Sequence, residues 1–251
     1  MNARGNILGI RVNAMDLPRT VETIDSWLTR REHHYVCLTA AHSVMASRND
    51  PTLISIFNQS GLTVPDGMAI VWLLKLQNHP ETKRVYAPDL MLEVSRYSLA
   101  KKWRHFFYGG NPGVAERLAR RLIERFPGLK VAGFYSPPFH PLNPEEDRAI
   151  IQRINDSQAD IVWVGTGSPR QERWMSDHVG NLHAPVLLGV GACFDFLSGN
   201  KPQAPRWLQG LGLEWLFRLL TEPRRLGKRY AQYPLFLALV VAQALGIRKY
   251  E

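Results

Sequence analysis

Between residues 6 and 200 the sequence alternates short, apolar, β-branched runs with longer amphipathic stretches, and the connections between them are short. Residues 6–12, 35–39, 62–66, 105–108, 130–135, 161–164 and 184–191 read as strands. Residues 17–30, 50–60, 68–76, 90–100 and 113–126 read as helices, as does the stretch opening at Asn143. Antiparallel partners need only a tight turn, whereas a helix between successive strands makes those strands parallel. The expected fold class is therefore α/β, a Rossmann-like, mostly parallel sheet with helices on both faces.

Helix-start chemistry supports these boundaries. Asp50-Pro51 is an N-cap followed by an N1 proline, and Asn143-Pro-Glu-Glu-Asp147 is a complete start with acids favoured by the helix dipole rather than a metal site. Asp89 reads as the cap of helix 90–100. Arg117, Arg120, Arg121 and Arg125 fall at helical spacing and read as a solvated face. His42, at a helix start, reads as a capping or packing residue, because no nucleophile is spaced to pair with it.

Ligands of open α/β sheets bind outside the carboxyl ends of the strands. Two stretches there stand out. Asp66 follows strand 62–66 beside Gly67, where a carboxylate can either approach a substrate hydroxyl or cap the helix that contains Trp72. Strand 161–164 runs into Gly165-Thr-Gly-Ser-Pro169 and a helix. Gly165 and Gly167 permit close backbone approach, and the free N–H groups of the loop can hold an anion. Ser168 and Gln171 also have the spacing of a capping box around Pro169, a reading compatible with anion binding. A second glycine-punctuated strand, 184–191, leads into Cys193-Phe-Asp195.

At 251 residues the chain has room for an α/β core, 1–200, and an appendage, 201–251, that begins where Ser198–Pro205 shifts the composition. The net charge is +9, and the stretch from Lys201 holds nine basic residues against three acidic ones. These alternate with tryptophan and leucine. Such a basic, Trp/Leu-rich helical segment reads as an anchor lying on a membrane surface, although the same pattern suits packing on the sheet domain. The apolar stretch 233–247 is too short and interrupted for a span of about 20 residues. The two cysteines, Cys37 and Cys193, sit in apolar runs and fit buried thiols in a reducing cytoplasm. Residues 1–11 carry no sustained apolar segment, so a cytoplasmic location is expected.

Taken in order, residues 63–72, 84–90, 164–172, 189–195 and 204–225 resemble the WecG/TagA/CpsF family of glycosyltransferases over nearly the whole chain. The resemblance implies an inverting, metal-independent enzyme without a cofactor. Its donor would be a UDP-sugar and its acceptor a polyprenyl-diphosphate-linked sugar, at the inner face of the bacterial cytoplasmic membrane. It implies Asp66 as catalytic aspartate, with Thr39 near the reaction centre. Arg84, Asp89, Gly165, Gly167, Gln171, Glu172, Gly191 and Asp195 are the substrate-binding candidates of the core, and Arg218, Arg224 and Arg225 those that close over the donor diphosphate. One departure stands out: many members carry Asn two residues after the threonine, and this chain has Ala41 with His42 next.

The residues themselves agree on two points. Inversion needs one base, and Asp66 is the candidate. A leaving diphosphate needs positive charge, and with no Asp-x-Asp pair in the sequence the arginines of the appendage are the available source. Three rival classes fit the residues less well. A nucleotide-dependent oxidoreductase lacks the third fingerprint glycine after Gly165-Thr-Gly167. A nucleic-acid-binding protein lacks a recognition motif. A non-catalytic membrane scaffold leaves Asp66 and the glycine loops unexplained. The apolar helices leave room for a homo-oligomer.

Overall fold

The computed structural model describes residues 3–138 and 140–250; Met1, Asn2, Phe139 and Glu251 lie outside them, including the ends of both expected regions. Six strands form one parallel sheet: β3 (His34–Thr39), β4 (Leu62–Pro65), β5 (Arg104–Gly109), β6 (Lys130–Tyr135), β7 (Ile161–Gly165) and β8 (Val186–Gly189), in the order β4-β3-β8-β7-β5-β6. The expected first strand is instead a separate antiparallel hairpin of β1 (Arg4–Ile7) and β2 (Ile10–Asn13). Leu8 and Gly9 both take positive φ, 52° and 94°, which is the two-residue turn that folds one apolar run back on itself.

Strand residues alternate between two cores, as a half-turn per residue demands. Val36, Leu38, Val64, Phe107, Ile161, Trp163, Val186 and Leu188 face α1 (Leu17–Arg30), α5 (Ala87–Lys101), α6 (Val114–Arg125) and α9 (Cys193–Leu197). Tyr35, Cys37, Phe106, Tyr108, Val162, Val164 and Leu187 face the opposite way. There the cover is α2 (Ala41–Ser47), α3 (Pro51–Gln59), α4 (Met68–Leu76), α7 (Pro144–Asp156), α8 (Arg170–His178) and the hairpin. Both cysteines are buried and free. The α6 arginines are exposed, as expected of a solvated face, and Asn143 closes a full capping box at α7.

Two helix starts differ from expectation. The helix expected from Leu90 begins earlier, at Ala87, with Pro88 in its first turn, so Asp89 lies inside it rather than capping it. At α8 the N-cap position is Pro169, not Ser168, and no side chain caps the helix. The capping box is lost because Gly167, at φ 84°, turns the chain before Ser168, and the Gly167 carbonyl itself accepts the Gln171 N–H at 3.0 Å.

The appendage is four helices: α10 (Arg206–Gly210), α11 (Glu214–Thr221), α12 (Pro223–Tyr230) and α13 (Tyr233–Ala244). It packs on the sheet domain, the alternative its sequence left open. Phe236 and Leu239 of α13 join the core under α2 and the hairpin. Gln243 clips the hairpin by accepting from the Leu8 N–H and donating to the Asn6 carbonyl, each at 3.0 Å. Trp207, Leu211, Leu220, Leu237, Leu245 and Ile247 stay exposed. Among the described residues no helix is long and apolar enough to cross a membrane.

Candidate active site

The chain runs out to β4 at one edge of the sheet and β6 at the other, then fills the middle with β7 and β8. The loops after these central strands part and leave a crevice at their carboxyl ends, the place where α/β sheets bind ligands. Its floor depends on close backbone approach. Gly109 pairs with Gly165 across β5 and β7, and a Cβ on Gly109 would stand 2.5 Å from the Gly165 backbone. A Cβ on Gly165 would in turn meet the Phe194 ring at 2.7 Å.

The crevice holds a polar cleft of about 350 Å³. Gly165, Gly167, Gln171, Gly191 and Asp195 line it from the core, and Arg218, Arg225 and Arg229 from the appendage. Several polar atoms around it are buried with no partner in the protein: Ser43 Oγ, Thr166 Oγ1, Ser168 Oγ, Gln171 Oε1 and Arg218 Nε. Buried polar atoms are rarely left unpaired, so a cluster of them at one cavity fits a ligand rich in hydroxyl, amide and anionic oxygen groups. Gln171 is oriented from behind, its Nε2 donating to Glu172 Oε1 at 2.9 Å.

Asp66 stands at the end of this cleft. Its N–H and that of Gly67 both donate to the Thr39 carbonyl, at 2.9 and 3.3 Å, which fixes the carboxylate beside the end of β3. Its Oδ1 accepts the Ala87 N–H at 3.2 Å, so Asp66 caps α5 and not the helix of Trp72, whose N-cap position is Gly67. Arg84 donates through Nε to the Asp66 carbonyl and through Nη2 to Glu214 Oε2 at 2.6 Å. That Nη2 lies 3.8 Å from Asp66 Oδ1. The guanidinium is stacked 4.0 Å over the Tyr86 ring. Burial raises the Asp66 carboxyl, Arg84 pulls it down and Glu214 pushes it up again; with the Ala87 N–H and Arg218 also lowering it, the balance is about 6. The group is ionised at neutral pH yet basic enough to take a proton.

A second cavity, about 510 Å³ and mostly apolar, also borders Asp66. Met68, Trp72, Trp215, Tyr230, Tyr233 and Leu237 line it, as does Arg84. Asp66, His42, Glu214 and Arg218 border both cavities. Burial, Arg229 and Arg218 push His42 down to about 3, so its imidazole is neutral.

Several candidate residues lie elsewhere. Thr39 is fully buried and borders neither cavity; its carbonyl, not its hydroxyl, reaches Asp66. Glu172 is fully buried behind Gln171 and lines neither cavity. Asp89 is taken by Arg206 through two bonds of 2.8 and 2.7 Å. Arg84 borders the apolar cavity rather than the polar one. Arg224 is exposed and lines neither, whereas Arg229, not singled out in the sequence, lines the cleft. Helical spacing carried that signal, because 225 and 229 are one turn apart on α12 while 224 points away. Lys201 and Glu214 were also missed, and only the fold brings them to the site. Among the described residues no group of three or more His, Cys, Asp or Glu could hold a metal ion.

Residues 5–250 match the profile of the family described as glycosyl transferase WecG/TagA/CpsF. The chain is also similar to two proteins named N-acetylglucosaminyldiphosphoundecaprenol N-acetyl-beta-D-mannosaminyltransferase. One is from Bacillus subtilis (strain 168), 27% identical over 237 residues, covering 91% of this chain and 90% of the relative. The other is from Staphylococcus aureus (strain NCTC 8325 / PS 47), 25% identical over 249 residues, covering 98% and 96%.

Proposed function

The chain belongs to the WecG/TagA/CpsF family of glycosyltransferases, and from that premise we propose that it transfers a sugar, with inversion, from a UDP-sugar to a sugar carried on a polyprenyl diphosphate. The observation that carries this reading is the position of Asp66 between an arginine-lined polar cleft and an aromatic, apolar groove. A nucleotide-sugar donor is polar and doubly charged at its diphosphate, and it suits the cleft. A sugar on an isoprenoid diphosphate joins a polar head to an apolar tail, and it suits entry through the groove. The names of the relatives specify an acceptor of that kind.

In this reading the acceptor hydroxyl attacks the anomeric carbon from the groove side as the carbon–oxygen bond to UDP breaks on the cleft side. The hydroxyl proton passes to the Asp66 carboxylate, and the departing UDP takes the bonding pair as an anion facing Arg218, Arg225 and Arg229. Arg218 and Arg229, with Arg225 that also holds Glu222, supply the compensating charge that a divalent ion gives elsewhere, so the reaction needs no metal. The exposed apolar side chains of the appendage would hold the groove at the inner surface of the cytoplasmic membrane, within reach of a lipid-borne acceptor.

The test is UDP release in EDTA from a panel of UDP-sugars, with and without a polyprenyl-diphosphate-sugar acceptor, for the native chain and Asp66→Asn. Acceptor-dependent release from one donor, reduced by about 10²-fold or more in the variant, is expected. Release that requires added metal, or that survives the substitution, overturns the mechanism.

A further inference from the structure

We propose that Glu214, carried by the appendage, is a positioning residue for the transfer: by holding one edge of the Arg84 guanidinium it keeps that charge from closing on the Asp66 carboxylate. The proposal rests on the reading of Asp66 as the base. Two carboxylates share one guanidinium here. Glu214 Oε2 has the short contact, 2.6 Å from Arg84 Nη2, and Asp66 Oδ1 the long one, 3.8 Å from the same nitrogen. The arrangement is largely shielded from water, with 12% of the Glu214 side chain and 16% of that of Arg84 exposed. Arg84 is held in place from both sides, by the Asp66 carbonyl at Nε and by the Tyr86 ring beneath it. Tyr86 also hydrogen-bonds Glu214 Oε1 at 3.4 Å and accepts from Gln203 at 3.0 Å, so the pair is tied to the segment entering the appendage.

Asp66 is faced by Arg84 and Tyr86 from the stretch before α5, by Glu214 and Arg218 from α11, by His42 from α2 and by the buried thiol of Cys193 from α9. Arg84 and Arg218 favour its ionised form, Glu214 opposes it, and His42 is uncharged. Removing the Glu214 charge leaves both arginines unopposed. Arg84 then has a single carboxylate to satisfy, and an aspartate paired closely with an arginine becomes a weak base. Docking of the appendage is thereby coupled to base strength: the helix that brings Arg218 to the diphosphate also brings the carboxylate that keeps Asp66 reactive.

The experiment is the pH dependence of kcat/KM for Glu214→Gln, Glu214→Asp and Asp66→Asn in the full chain, alongside equilibrium binding of UDP. For the native chain the rate rises with pH as Asp66 ionises. In Glu214→Gln the acid limb should move about one pH unit or more toward lower pH, the plateau should fall several-fold, and UDP should bind as before. Glu214→Asp keeps the charge at a longer reach and should lie between the two, which serves the test should the Gln variant fail to fold. A slower Glu214→Gln enzyme with an unmoved limb would mean that Glu214 is structural and overturn the proposal. An acid limb that persists in Asp66→Asn would overturn the base assignment and this inference with it; a limb lost there but unmoved in both Glu214 variants would overturn the inference alone.

Discussion

At the scale of single residues, the site rests on carboxylates whose environments differ. Asp66 is pushed up to about 6 chiefly by burial, whereas Glu222, buried less and held by Arg225 at 2.6 and 2.5 Å and by Lys201 at 2.8 Å, is pulled down to about 2. An acid whose folded pKa is raised takes up its proton earlier in the folded state than in the unfolded chain. The contribution of Asp66 to stability therefore falls as pH rises from about 4 to about 6 and is flat beyond. Asp66→Asn removes that cost. It should unfold at higher denaturant concentration than the native chain at pH 7.5, by about 2 kcal/mol once the partial exposure of the side chain is allowed for, and the difference should vanish below pH 4. A variant that is less stable at pH 7.5 would show that the Ala87 cap and the Arg84 contact outweigh the buried charge. The local chemistry of Asp66 was legible in the sequence only as a choice between base and cap. In the structure it caps a helix other than its own, because the Ala87 N–H comes from a segment far along the chain.

At the scale of elements, α12 shows how a helix sorts a run of cations. Arg225 and Arg229 share a face and line the cleft, while Arg224 projects away from it. Arg229 is partly buried beside Arg218 and Arg225, and that crowding, after desolvation, lowers its pKa, as expected of cations gathered for an anionic ligand. Arg229→Ala should therefore raise the donor KM roughly ten-fold or more, and Arg224→Ala should leave it within about two-fold, as for loss of a charged contact against a solvated one. Steady-state kinetics with varied donor would check both, and equal effects would refute the assignment by helix face. Helix α8 carries the complementary lesson. Its sequence fits a capping box, yet Ser168 leaves its hydroxyl unpaired near the cleft, because Gly167 turns the chain ahead of it and the N-cap position falls on Pro169. Where a cap is expected and absent, the freed side chain is available to a ligand.

At the scale of the whole molecule, the appendage combines buried and exposed apolar residues. It packs on α2 and the hairpin through Phe236, Leu239 and Gln243. It also exposes Trp207, Leu211, Leu220, Leu245 and Ile247 in a stretch rich in lysine and arginine. Expectation from sequence favoured a membrane surface over packing on the core; the structure provides the packing directly and leaves these apolar side chains exposed. The chain should sediment with vesicles containing anionic lipid, less so as salt is raised, and Leu220→Ser or Ile247→Ser should each weaken that binding about ten-fold, the order expected for one buried aliphatic side chain. Indifference to vesicles would remove the membrane from the proposal while leaving the transferase chemistry untouched.

The amino-acid sequence by itself determined the α/β class, most strand and helix positions and the place of the candidate site at the carboxyl ends of the strands. Each of these follows from local periodicity, helix-start chemistry and the rule that parallel strands need crossovers. The family could be read from it as well, since five motifs in order are a property of sequence alone. Only the tertiary structure decided which polar residues meet: Glu214 with Arg84, Arg229 with Arg218, Arg206 with Asp89, and a hairpin where one strand was expected. The reason is physical. Such pairings depend on how helices distant in the chain are brought against the sheet by burial of their apolar faces, and no local pattern records the partner on the other side.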